Sequence, residues 1–167
     1  MLQIKSDDFS QLNAIRMEEE DCKCICKWMY EVPYHIYNWP SWEELVHQQR
    51  EFADPQIRQH QYYAVKTKNQ QLVAYFQLFP LHNTIRLAIF VHPSLLNNGV
   101  GKQACLLAIK QAKLDFCLPY IDLEVATWNK RAIHVYEQVG FQIEDEYKLY
   151  IPALQHDETV YNMVYKK

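Results

Sequence analysis

The segment 85–141 decides the fold of this chain, and four pieces of it carry most of the information. They read IRLAIFVHP at 85–93, NNGVGK at 97–102, IDLEV at 121–125 and NKRAIHVYEQVGF at 129–141. The order is strand, glycine loop, amphipathic helix, strand and helix. Glycines between a strand and a helix let backbone amides turn inward at the helix start, where they bind anions. The segment therefore predicts a site for a phosphate-bearing cofactor beside a reacting group.

The composition limits the class of protein. A chain of 167 residues with 49% hydrophobic content is long and apolar enough for one domain with a buried core, so disorder is excluded. The formal net charge of −3 gives no basis for nucleic-acid binding, which requires a basic surface, and is compatible with a cationic substrate. We expect a single domain over residues 1–167.

Targeting and redox signals favour the cytoplasm. The first residues include early acids and no apolar segment of a secretory signal, and no apolar run approaches membrane-spanning length. Five cysteines, an odd number, predict free thiols in a reducing compartment. We expect a cytoplasmic protein with no membrane partner, and the sequence leaves monomer and homodimer open.

The N-terminal part predicts a strand at 13–17 and a helix at 18–29 that starts with carboxylates. Residues 1–11 fit either an extra edge strand or a loose leader. Cys22, Cys24 and Cys26 invite a metal hypothesis, but helical spacing puts Cys24 on another face, and zinc sites favour wider spacing on turns. We expect no metal and three buried or half-buried thiols.

The middle of the chain predicts an aromatic loop, a helix and a three-stranded meander. Two prolines make residues 28–40 a loop, and Ser41 with Glu44 forms a capping box that opens a helix ending near Phe52. Strand-like alternation follows at 61–66, 71–78 and 85–91, with a hairpin turn at 67–70.

The C-terminal part predicts two helices and two closing strands. Apolar residues recur every fourth position over 100–116, and a second stripe ends at Gly140, a left-handed helix terminator. Residues 141–149 and 159–165 alternate as antiparallel strands, with His156 and Asp157 in the turn between them.

Two blocks together resemble the GNAT superfamily of acyl-CoA-dependent N-acetyltransferases. The first is the strand ending at Val91 with the loop of Gly99 and Gly101, and the second is Asn129-x-x-Ala-x-x-x-Tyr136-x-x-x-Gly-Phe. Walker A and dinucleotide fingerprints fit poorly, because no Ser or Thr follows Lys102 and no third glycine follows the loop. Family loops usually carry Arg or Gln and then Gly where this chain has Leu96 and Asn97.

The resemblance implies a mixed, mostly antiparallel sheet splayed at its centre, flanked by helices, which is an α/β (α+β) fold. It also implies acetyl-CoA as cofactor. Backbone groups at the end of the first strand would hold the pantetheine arm, amides of the loop would hold the pyrophosphate, and one asparagine would contact the cofactor between the strands. The implied residues are Phe90, Val91, Asn98, Gly99, Val100, Gly101, Lys102 and Asn129.

Two residues are candidates for proton transfer. The resemblance implies that Tyr136 protonates the departing thiolate, although a tyrosine on an apolar stripe is otherwise an ordinary core residue. Glu124 shares a strand face with Asp122, opposite the apolar face. The attacking amine must lose a proton, and the resemblance to ribosomal-protein N-terminal acetyltransferases implies that Glu124 takes it. A solvated strand carboxylate is the alternative. Cys105 and Cys117 are expected to be packing residues.

The resemblance implies that the acceptor is a primary amine, and it leaves small amines, amino sugars, amino acids and protein N-termini open. The family resemblance places the aromatic segment beside it, and aromatic faces with a carboxylate suit a cation. The candidates are Trp28, Tyr30, Glu31, Tyr34, His35 and Tyr37. We expect direct attack of the amine in a ternary complex. The alternative is a non-catalytic acyl-CoA-binding or regulatory module of the same fold.

Overall fold

The computed structural model describes residues 9, 11–152 and 154–166 and has five α-helices and seven strands in this part of the chain, besides short 3-10 turns. The strands are β1 Leu12–Arg16, β2 Tyr62–Thr67, β3 Leu72–Leu81, β4 Thr84–Val91, β5 Tyr120–Ala126, β6 Phe141–Ile151 and β7 His156–Tyr165. The helices are α1 Glu19–Ile25, α2 Trp42–Gln48, α3 Pro55–Gln61, α4 Val100–Asp115 and α5 Lys130–Val139. Of the predicted edge strand or leader at 1–11, all but residues 9 and 11 lie outside the described residues.

The strands form one sheet in the order β1-β2-β3-β4-β5-β7-β6. Every neighbouring pair is antiparallel except β4 and β5, which are parallel. Parallel strands need a long crossover connection, and α4 supplies it. The predicted mixed, mostly antiparallel sheet is confirmed, as is the β2-β3-β4 meander.

The two parallel strands separate at the centre of the sheet. Their pairing runs from Thr84 opposite Tyr120 to Leu87 opposite Leu123 and then stops, although β4 continues to Val91 and β5 to Ala126. The far end of β4 therefore has an edge that β5 does not cover. This opening is the predicted splay.

Each face of the sheet is covered by its own core. On one face α4 buries the predicted stripe, and the central strands contribute Leu87 and Leu123 beneath it. Burying a side chain such as Ile109 contributes about 1.5–3 kcal/mol. A second core, rich in aromatic rings, holds α1 and the loop after it against Tyr62 and Tyr75. Among the described residues, no helix is long and apolar enough to span a membrane.

The helices in the first half differ from the sequence expectation. α1 ends at Ile25 instead of near residue 29, and α2 ends at Gln48 because Gln49 adopts a left-handed conformation with φ 48°. The capping bond expected of Ser41 is present, from the Glu44 amide at 3.2 Å. α3 was not predicted, although its start signal is in the sequence. Asp54 caps it by accepting from the amide of Gln56 at 2.7 Å, and a proline follows.

The closing hairpin also differs from the expectation. The prediction that His156 and Asp157 lie in the turn is wrong, because they pair with Ile151 and Tyr150 inside the β6–β7 ladder. Both strands run further than the alternation indicated, and the chain turns between Ile151 and His156.

The cysteines are free, as predicted. Cys22 is buried and Cys26 half-buried, but Cys24 is exposed, which corrects the expectation that all three are at least half-buried. Cys105 is a packing residue of α4, and burial raises its pKa to about 12, whereas Cys117 is exposed and does not pack. Within the described residues, no group of His, Cys, Asp and Glu has the arrangement of a metal site.

Candidate active site

A cleft of about 410 Å³ opens where β4 and β5 separate. Its walls come from the end of β4, the start of α4, α5 and the aromatic segment after α1. Most of the residues singled out in the sequence line it. They are Tyr30, Tyr34, Tyr37, Phe90, Val91, Gly99, Gly101, Lys102, Glu124, Asn129 and Tyr136. The fold thus brings cofactor, acceptor and proton-transfer candidates to one place.

Five candidates are not among the described residues that line the cleft. Asn98 and Val100 flank Gly99, and the Val100 side chain is fully buried as the first residue of α4. Glu31 and His35 are exposed. Trp28 is only 7% exposed and packs against Tyr75 and His92 in the aromatic core.

The glycine loop has the geometry of an anion site. Asn97 and Gly99 are left-handed, with φ of 67° and 77°, and α4 begins at the next residue. The first intrahelical bond runs from the Gln103 amide to the Gly99 carbonyl at 3.3 Å, so the preceding amides of the first turn are open to a ligand. A Cβ on Gly101 would lie 3.6 Å from Cγ2 of Val91, which shows how closely the loop approaches β4. Exposed backbone donors beside Lys102 fit the diphosphate of coenzyme A.

The uncovered end of β4 is bordered by tyrosines. Phe90 stacks on Tyr75 with ring centroids 4.7 Å apart, and Tyr37 meets Phe90 edge-on. The Tyr30 hydroxyl donates to the Val91 carbonyl at 2.8 Å. A carbonyl oxygen has two lone pairs, so this bond leaves Val91 able to accept from a ligand as well. Burial raises the pKa of both Tyr30 and Tyr37, which keeps them protonated donors.

Tyr136 lies on the cleft side of α5, half-buried, with its ring edge-on to Phe141. Burial raises the pKa of its phenol, so the hydroxyl holds its proton at neutral pH. Within the described part of the chain the hydroxyl has no hydrogen-bond partner, so it is available to a group bound in the cleft.

Glu124 belongs to a polar network that the sequence did not reveal. Arg86 on β4 holds both carboxylates of β5: its guanidinium donates to Asp122 at 3.1 and 2.8 Å and also to Oε1 of Glu124. Tyr147 on β6 donates to the same Oε1, and Asn162 on β7 donates to Asp122 at 3.1 Å. The two acids raise the pKa of Arg86. Asp122 is only 8% exposed, and this pairing offsets the desolvation cost of placing carboxylates on a central strand.

Two further residues organise the wall formed by α5. Asn129 is only 6% exposed, caps the helix through the Ala132 amide at 3.2 Å, and donates to the Tyr37 hydroxyl at 3.5 Å. Arg131 also lines the cleft, with its guanidinium 4.3 Å from the centre of the Tyr34 ring. The cation–π contact expected for an acceptor at Tyr34 is thus made by the protein's own arginine.

The profile of the acetyltransferase (GNAT) family matches residues 25–141, which include the splayed strands, the glycine loop and α5. The chain belongs to this family. As a GNAT member it is an acetyl-CoA-dependent N-acetyltransferase, and acetyl-CoA is its cofactor. Membership in a family of enzymes does not favour the alternative of a non-catalytic binding module.

Solved structures of GNAT proteins share the fold over nearly the whole chain. The spermidine/spermine N-acetyltransferase of Vibrio cholerae with manganese ions matches at a TM-score of 0.71 and 21% identity, over 93% of this chain and 92% of that chain. The V. cholerae spermidine N-acetyltransferase with CoA and spermine matches at 0.67 and 21%, over 93% and 95%. A GNAT acetyltransferase of Bacillus anthracis matches at 0.73 and 17%, over 92% and 93%. Among curated proteins, none matches this sequence.

Proposed function

We propose that this acetyltransferase moves the acetyl group to a primary amine by direct attack in a ternary complex. The observation that carries the proposal is that Glu124 and Tyr136 line one cleft with the glycine loop. The described residues that line this cleft include no cysteine or serine, the two side chains that most often carry an acyl group in a covalent intermediate. Cys105 lies on α4 and is fully buried in the core between that helix and the sheet.

The cofactor would lie along the wall formed by β4, α4 and α5. Amides of the first turn of α4 would hold its diphosphate, Lys102 would add a positive charge, and Phe90 and Val91 would offer backbone groups to its amide-bearing arm. Asn129 would contact it between the separated strands. When bound, acetyl-CoA supplies an acetyl group activated as a thioester.

Glu124 and Tyr136 would move the protons. The amine arrives protonated at neutral pH, and Glu124 would accept its proton through Oε2, because Oε1 already accepts from Arg86 and Tyr147. Tyr136 would donate its phenolic proton to the leaving sulfur. Burial raises the pKa of Tyr136, so its hydroxyl keeps a proton at neutral pH, and among the described residues that hydroxyl has no other partner and is available to the sulfur.

The acceptor would be a small primary amine, with a protein N-terminus as the alternative. Spermidine and spermine are the first candidates, because V. cholerae enzymes of the same fold are spermidine N-acetyltransferases. Tyr30, Tyr37 and Glu124 line the same cleft and offer aromatic contact and one carboxylate to a cation, whereas the Tyr34 ring is already covered by Arg131.

Steady-state kinetics test the mechanism. Free CoA thiol is measured while acetyl-CoA and amine are both varied, over a screen of polyamines, amino sugars, amino acids and short peptides. A ternary complex gives intersecting double-reciprocal lines, and intact mass shows no acetylated protein when amine is omitted. Parallel lines with a stable acetyl-enzyme would overturn direct attack.

A further inference from the structure

Five polar side chains line up across four neighbouring strands on one face of the sheet. Arg86, Asp122 and Glu124, Asn162 and Tyr147 come from β4, β5, β7 and β6 in that order. Arg86 stands directly opposite Asp122, and Asn162 directly opposite Glu124. The network sits at the last rungs before β4 and β5 separate, and its only member that lines the cleft among the described residues is Glu124.

The members differ in what they do for Glu124. Asp122 takes two bonds from Arg86 and one from Asn162, so it fixes the guanidinium in place. Arg86 then has one nitrogen left to donate to Oε1 of Glu124. Tyr147 donates to the same oxygen from β6, across β7, whereas Arg86 donates from β4. Burial raises the pKa of Tyr147 to about 12, so it remains a donor at neutral pH.

Two donors on one oxygen fix the rotation of a carboxylate. A glutamate side chain has a broad terminal torsion and would otherwise present either oxygen to the cleft. With Oε1 held from two directions, the described residues leave Oε2 as the oxygen without a partner. A base must lie within about 2.6–3.2 Å, between heavy atoms, of the group whose proton it removes. An oxygen that is held in place there is therefore a more effective base than one that rotates away.

We propose that Tyr147 is a positioning residue for the acetyl transfer: together with Arg86 it locks Oε1 of Glu124 so that Oε2 faces the incoming amine. The inference rests on the proposed role of Glu124 as base. Tyr147 itself does not line the cleft among the described residues, so it acts through Glu124. Of the two donors it is the better one to test, because Arg86 also holds the buried Asp122.

The test is Tyr147→Phe, which removes one hydroxyl and keeps the ring. The matched control is Tyr150→Phe, on the same strand and exposed. We expect Tyr147→Phe to lower kcat/KM for the amine roughly 10-fold, the effect of losing one hydrogen bond to a charged group. Cofactor binding should not change, and the melting temperature should fall by only a few degrees, because one partly exposed hydrogen bond is lost. The loss of rate should appear in kcat while KM for acetyl-CoA stays at the parent value, because a rotating carboxylate affects the reaction step and leaves the cofactor site intact.

A double-mutant cycle separates the inference from the proposed function. In a Glu124→Gln background, Tyr147→Phe should have almost no further effect, because groups that act through one another are not additive. An equal loss in both backgrounds would show that Tyr147 acts elsewhere and would overturn the inference. So would a Tyr147→Phe enzyme with the parent kcat and kcat/KM, even if Glu124→Gln is slow. If Glu124→Gln itself is as fast as the parent, the proposed base is wrong, and the inference fails with it.

Discussion

The two ends of the cleft are built from different materials. At the glycine loop the groups proposed to bind the cofactor are backbone amides, presented by Gly99, Gly101 and the first turn of α4. The groups proposed to move protons are instead side chains, Glu124 on β5 and Tyr136 on α5, and Glu124 is held by partners from two other strands. A backbone site depends on conformation and tolerates changes in side chains, whereas a side-chain site depends on the identity of one or two groups. This difference explains how the loop keeps its shape with Leu96 and Asn97 in place of the usual family residues.

The largest expected effect is the loss of kcat on changing Tyr136, the proposed acid. Tyr136→Phe should lower kcat by roughly 10²–10⁴, the usual contribution of a positioned acid, and leave acetyl-CoA affinity almost unchanged. Folding should not suffer, because the hydroxyl has no partner among the described residues. Tyr165→Phe, which packs on the same Phe141, is the matched control in thermal melts and kinetics. A well-folded Tyr136→Phe enzyme with the parent kcat would exclude the acid role.

Glu124→Gln should lower kcat/KM for the amine by roughly 100-fold, at the lower end of general-base effects. The amide oxygen of Gln can still accept from Arg86 and Tyr147, so the network and the cofactor affinity should persist. The acid-side inflection of the pH–rate profile should disappear with the carboxylate. If that inflection remains, the base lies elsewhere, and Glu31 and His35 are the next candidates.

At the loop, only a change that blocks the backbone should matter. Gly101→Val should remove the thermal shift given by acetyl-CoA, which at a hundredfold excess over Kd corresponds to roughly 2.7 kcal/mol in the parent. The added methyl groups would lie between the first amides of α4 and Val91, where a Cβ already reaches 3.6 Å. Lys110→Val, further along the same helix and exposed, controls for changes in stability. If acetyl-CoA gives Gly101→Val the same thermal shift as the parent, the diphosphate does not bind at this loop.

The smallest expected effect is a gain in acetyl-CoA affinity. Leu96→Arg should tighten acetyl-CoA binding roughly 3- to 10-fold, because a charge-assisted hydrogen bond to phosphate becomes available at the cleft. Leu96→Met keeps the volume without the charge and should bind as the parent does. Calorimetric titration distinguishes the two, and the gain should shrink as salt is added. Equal or weaker binding by Leu96→Arg would mean that position 96 does not face the phosphates.

The sequence predicted what depends on local pattern. The splayed sheet, the buried stripe of α4 and the left-handed Gly140 at the end of α5 follow from periodicity, glycine placement and the family motifs. The start signal of α3 is also local, because Asp54 followed by Pro55 is typical of a helix N-terminus, although this helix was not predicted from the sequence.

What could not be predicted depends on register and on long-range packing. Arg86 alternates with apolar neighbours on its strand, but nothing local says that it stands opposite Asp122. Tyr147 contacts Glu124 across β7, so this contact depends on the strand order β5-β7-β6, which no local pattern predicts. The family resemblance predicts Trp28 at the acceptor side together with the rest of its segment, but Trp28 packs into the aromatic core. Its burial against Tyr75 and His92 depends on residues more than 40 positions away.

The separation of β4 from β5 has a consequence for mutational scanning. It creates a sheet edge in the interior of the molecule. An extended ligand can form main-chain hydrogen bonds with β4 there, as a peptide does when it adds a strand to the exposed sheet edge of a peptide-binding domain. Contacts of that kind come from the main chain, so replacing the side chains of residues 88–91 one at a time would make the edge look unimportant. A proline or a backbone ester at one of these positions removes the amide hydrogen. Only such a change would measure how much the main chain of β4 contributes to the affinity for the ligand.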